Sequence, residues 1–73
     1  MNIQQKIGLA IISLRRSQGL SQEEFARYAG LDRCYMSSIE NGKRQISITI
    51  LERIATALEL TPSQLLSEAE RYS

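Results

Sequence analysis

Three isolated glycines punctuate the middle of this chain at nearly equal intervals. Gly19, Gly30 and Gly42 stand eleven and twelve residues apart. Each follows a helically spaced stretch, where a glycine takes the left-handed conformation that ends a helix. Ile7, Ala10, Ile11 and Leu14 fall at i, i+3, i+4 and i+7, which predicts a helix over about 3–17. Ser21-Gln22-Glu23-Glu24 reads as a capping box: the Ser21 hydroxyl accepts from the Glu24 amide, and the Glu24 carboxylate reaches back to the Ser21 amide. It opens a second helix over 22–29 with Phe25, Ala26 and Ala29 as its buried stripe. Asp32 suits the start of a third helix over 33–40, with Met36 and Ile39 inward. Asn41-Gly42-Lys43-Arg44 is a loop by composition.

Ser47 or Thr49 opens a fourth helix over about 48–59, carrying Ile50, Leu51, Ile54, Ala55 and Leu58. Ile46, Ile48 and Ile50 also alternate as a short strand would, but the continuation to Leu58 favours the helix. Thr61-Pro62-Ser63-Gln64 starts a fifth over 62–71, with Leu65, Leu66, Ala69 and Tyr72 on it. The expected architecture is all-α, a compact five-helix single domain over 1–73 that requires no strand.

Size and missing residues exclude several functions. A chain of 73 residues and 8.3 kDa has a small core and little room for a pocket that would perturb catalytic pKa values. It contains no histidine, so no Ser-His or Cys-His nucleophile pair and no imidazole zinc site. Its one cysteine, Cys34, has no partner for an internal disulfide or a metal site, and Gly8 is as isolated as the other glycines, so no phosphate loop appears. No enzyme, cofactor or metal is expected. Neither a membrane span nor a secretory signal is legible, and a cytoplasmic location is the expectation.

Residues 21–40 read as helix, tight turn, helix. So short a connector suits a sharp crossing of the two axes, the helix-turn-helix arrangement whose second helix can enter a DNA major groove. Any small helical bundle has glycine turns, so geometry alone does not establish DNA binding. The charge distribution adds weak support. Residues 1–44 carry seven basic and four acidic side chains, whereas residues 45–73 carry two basic and four acidic. The first part can turn a basic face toward phosphates.

Together these residues resemble a family. Leu20-Ser21-Gln22-Glu23-Glu24-Phe25-Ala26, Ala29-Gly30-Leu31 and Ser38-Ile39-Glu40-Asn41-Gly42-Lys43-Arg44 are similar to the phage-repressor and Cro-type helix-turn-helix family. So are Leu51 to Leu58 and Thr61-Pro62-Ser63, and the resemblance spans roughly residues 6–66. Leu31-Asp32-Arg33 with Tyr35 most resembles the small controller proteins of restriction–modification systems.

The resemblance implies that the third helix reads base edges through Arg33, Cys34, Tyr35, Ser37 and Ser38. Arg33 is the strongest candidate, because a guanidinium donates two hydrogen bonds to guanine O6 and N7. Tyr35 suits a thymine methyl, a phosphate or partial core. Cys34 departs from the threonine that controller-like sequences tend to carry, so its contact would be apolar, and its oxidation would block docking. Gln22, Asn41, Lys43 and Arg44 are the expected phosphate contacts. Arg15 and Glu40 match an ion pair that fixes the recognition helix and does not touch DNA.

A domain this small makes few base contacts, so a homodimer on a pseudo-palindromic operator is expected, with Leu65, Leu66, Ala69 and Tyr72 as its interface. Such a dimer would repress by covering a promoter or activate by touching RNA polymerase. Two other readings compete: an antitoxin, which needs a segment that folds onto a toxin, and a protein-interaction module on the same fold. The tail 68–73 is short for the first, and Arg33 with two serines argues against the second.

Overall fold

Each of the five helices begins on a side chain that accepts from one or two of its free amides. In the computed structural model, which describes residues 1–73, α1 spans Ile3–Ser17, α2 Gln22–Ala29, α3 Arg33–Glu40, α4 Ile48–Ala57 and α5 Pro62–Ala69. The expected capping boxes form at Ser21/Glu24 and Thr61/Gln64, and a third forms at Asn2/Gln5. The Ser21 hydrogen bonds hold the Glu24 carboxyl below the usual carboxylate range. Ser47, not Thr49, starts α4, its hydroxyl accepting from the Ile50 amide at 3.1 Å. The isoleucine alternation belongs to no strand: Ile48 is already helical.

The first four helices end in one motif. After α1, Leu20 N–H donates to Arg15 O and Gly19 N–H to Arg16 O. The same pair of bonds recurs at Gly30/Leu31, Gly42/Lys43 and Glu59/Leu60. It returns carbonyls that would otherwise lack partners to a backbone donor. The residue at the turn holds positive φ each time, and Glu59 at 62° is the only one that is not glycine. This corrects one boundary: α4 stops at Ala57 rather than 59, because Leu58 and Glu59 already form the turn. Likewise α5 stops at Ala69 rather than 71, and Glu70 to Tyr72 turn away through bonds to Leu66, Glu68 and Ala69.

All five helices contribute to one core. Phe25, Ile11, Met36, Ile39, Ile54, Leu58 and Leu65 are its largest fully buried side chains. Helix α1 packs on α3 and α5, while α2 packs on α3 and α4. Gly8 sets the spacing of α1 from α3: a Cβ there would collide with the Ile39 and Glu40 carbonyl oxygens. Two expected interface residues lie in this core. Leu65 and Ala69 are wholly buried where α5 faces the rest of the chain, so they present no surface to a second copy. Leu66 and Tyr72 pack partly against the core and keep the rest of their surface. No helix is long and apolar enough to cross a membrane.

Candidate nucleic-acid interface

Gly30-Leu31-Asp32 joins α2 to α3 and sets the exposed face of the second helix. Leu31 packs against the core and anchors the turn. The Asp32 carboxylate accepts from the Cys34 amide at 2.9 Å and the Tyr35 amide at 3.2 Å, capping α3. Met36, Ile39 and Glu40 then face inward and hold the helix to the body. The rest of α3 is turned outward: Arg33 and Cys34 are exposed, and Tyr35, Ser37 and Ser38 are half-buried. The five expected base-reading residues therefore share one helix, with Tyr35 at the border between its outer side and the core.

A buried polar cluster lies behind that face. Arg15 of α1 donates from Nε to Glu40 Oε2 at 2.7 Å and from Nη2 to Oε1 at 3.0 Å, a bidentate pair. The two side chains are 9% and 2% exposed. The hydrogen bond to Glu40 is the main cause that raises the Arg15 pKa further above its ordinary value, against the opposing effect of burial. Arg15 Nη1 also donates to the Leu20 carbonyl at 3.2 Å, on the approach to α2. Gln22, at the start of α2, donates from Nε2 to Glu40 Oε1 at 3.0 Å. This engages part of the carboxamide that the sequence assigns to a phosphate. An amide nitrogen has two N–H groups, so one donor remains beyond that bond. Thus α1, both ends of the helix-turn-helix and the α1–α2 connection meet at Glu40, and no buried side-chain polar atom lacks a partner.

On the outer side, the Arg33 guanidinium lies 3.7 Å from Glu23 of α2, with both side chains exposed. The Arg44 guanidinium carbon lies 5.2 Å from the centre of the Tyr35 ring, within cation–π range. Tyr35 thus serves as partial core and as a shelf for a cation from the following loop. Asn41, Lys43 and Arg44 are exposed just beyond α3.

Sequence reasoning missed two residues here. Glu23 was legible only as a helix-start acid, since its partner sits across a turn. Ile48, 83% exposed at the start of α4, stood out in the sequence only as part of the isoleucine alternation.

Comparison with known proteins agrees with this geometry. The helix-turn-helix family model matches residues 11–65. The control protein C.MunI of a Mycoplasma species is 45% identical over 71 residues, 96% of this chain and 96% of that protein. The crystal structure of the restriction-modification controller protein C.AhdI from Aeromonas hydrophila superposes with TM-score 0.81 at 40% identity. That match covers 85% of this chain and 94% of the other. The controller protein C.Esp1396I, solved as a tetramer in complex with its natural 35 base-pair operator, superposes with TM-score 0.86 at 30% identity, over 97% of this chain and 93% of that one. A family model running from mid-α1 into α5, and a relative this similar along nearly the whole length, make one assignment: the chain belongs to the helix-turn-helix family of transcription regulators.

Proposed function

We propose that this chain controls a restriction–modification operon by binding a pseudo-palindromic operator as a homodimer, with α3 in the major groove. The observation that carries the reading is the outer side of α3. Arg33, Cys34, Ser37 and Ser38 keep exposed or half-exposed surface on a helix that buried contacts hold from behind, and Tyr35 packs beside them at the core's edge. Arg33 reads guanine, the two serines read base edges or phosphate, Cys34 makes an apolar contact, and Tyr35 carries Arg44 toward the backbone. Gln22, Asn41 and Lys43 meet phosphates on either side.

The longest dimension of one copy is 28 Å, shorter than the about 34 Å that separates successive major-groove faces. One copy therefore reads one half-site, and two copies related by a two-fold axis read a palindrome. Leu66 and Tyr72 are the residues on α5 and just after it with apolar surface left for a partner. A dimer seated over a promoter represses, and one seated upstream activates through contact with RNA polymerase.

The test is selection of binding sites from a random duplex library at about 150 mM salt, near physiological ionic strength. The wild type should recover an inverted repeat with half-sites about one turn apart. Arg33→Ala should lose discrimination at one guanine per half-site, by about 1–3 kcal/mol. Recovery of no motif by the wild type would sink the reading.

A further inference from the structure

The geometry points to Glu23 as a specificity-determining residue, one that positions the Arg33 guanidinium for a base edge and away from the phosphates. The inference rests on the reading of α3 as the groove-entering helix. Glu23 lies in the first turn of α2 and Arg33 is the first residue of α3, so the turn of the motif brings together two helix starts. Arg33 Nη1 lies 3.7 Å from Glu23 Oε2, too long for a hydrogen bond but close enough for charge attraction. The two side chains are 65% and 63% exposed, and Arg33 makes no other polar contact.

An arginine at a helix N-terminus sits in an unfavourable field, because the exposed amides there carry partial positive charge. Burial does not explain its presence; Asp32 offsets the field at the helix start by capping its amides, and Glu23 is the carboxylate that lies beside the guanidinium itself. A free arginine stem reaches both phosphates and bases, and phosphate contacts are the same for every sequence. A carboxylate beside Nη1 occupies one edge of the guanidinium. The Nη2–Nε edge stays open to make two parallel bonds to guanine O6 and N7. The same carboxylate is repelled by the DNA backbone. Glu23 therefore penalises the poses in which Arg33 lies along a phosphate and leaves the groove-directed pose unpenalised.

An exposed ion pair of this length is weak, so the effect belongs to discrimination and not to fold stability. The experiment compares wild type, Glu23→Gln, Arg33→Ala and the double variant. Each is titrated by fluorescence anisotropy on the selected operator, on the operator changed at the Arg33-dependent guanine, and on unrelated duplex. Melting temperatures are measured alongside. The expected result is that Glu23→Gln binds unrelated duplex more tightly and discriminates the guanine about fivefold less, the scale of an exposed pair. Its melting temperature should be unchanged, and the double variant should discriminate no worse than Arg33→Ala alone.

Equal tightening on all three duplexes with discrimination intact would overturn the inference, leaving Glu23 a merely repelling charge. Additive losses in the double variant would overturn it too, since the glutamate would then act independently of Arg33. If Arg33→Ala discriminates as well as wild type on an operator both bind, Arg33 is not the reader and the inference fails while DNA binding stands. Failure of wild type to prefer any duplex would instead overturn the functional reading itself.

Discussion

Arg15 and Glu40 are separated by 25 residues in the chain and meet through two hydrogen bonds in the interior. Removing both charges from water is costly, and their attraction repays this only because the fork of the guanidinium matches the carboxylate and Gln22 and Leu20 satisfy further atoms. Breaking the pair on one side leaves a buried, unpaired charge. Arg15→Ala and Glu40→Ala should therefore each lower unfolding stability by about 3–5 kcal/mol in urea titrations. The double variant should lose clearly less than the two losses combined, since the stranded charge is gone. The pair left one trace in the sequence: Arg15 lies four residues after Ile11, on the buried stripe of α1. A charge on an apolar face demands a partner, but periodicity does not say where in the chain that partner lies. The resemblance to a family supplied Glu40.

At the level of elements, the helix ends were far more legible than their neighbours. Gly19, Gly30 and Gly42 mark the left-handed turns after α1, α2 and α3, and the caps Ser21, Asp32 and Thr61 mark three starts. Where the turn residue is not glycine the signal disappears, so the apolar spacing carried the expected α4 through Glu59 when the helix ends at Ala57. Glu59 takes a φ of 62° against its own Cβ, a conformation costing about 1–2 kcal/mol in residues other than glycine. Glycine relieves that strain but adds freedom to the unfolded chain. Glu59→Gly should raise stability by up to about 1 kcal/mol, seen in thermal melting as a rise of about 4–8 °C per kcal/mol for a chain of this size. Helix α5 misled in another way. Its apolar residues exceeded a bare core estimate and suggested an interface, yet Leu65 and Ala69 are needed inside because α5 packs on α1.

For the molecule as a whole, a net charge of +1 conceals an excess of basic side chains in residues 1–44, those that build the α2–α3 face and the loop after it. If that loop meets the backbone, Lys43→Ala should weaken binding about equally on operator and unrelated duplex. It should also reduce the slope of log affinity against log salt by about 1. An unchanged slope would remove Lys43 from the contact surface. Much of this face was legible in advance, because the outer side of a short helix follows from its inner residues, Met36 and Ile39. Pairings across the turn, Glu23 with Arg33 and Gln22 with Glu40, were not legible, because no fixed spacing relates residues on crossed helices.

The division of labour on α3 also bears on how such proteins diverge. Met36, Ile39 and Glu40 anchor the helix, while Arg33 and Cys34 rest on nothing in the core. If α3 reads DNA as proposed, exchanging the exposed pair would alter what is read without loosening what holds the reader. Two descendants of one gene in the same cell would then escape cross-talk through a handful of substitutions, and an inherited scaffold would acquire a private address.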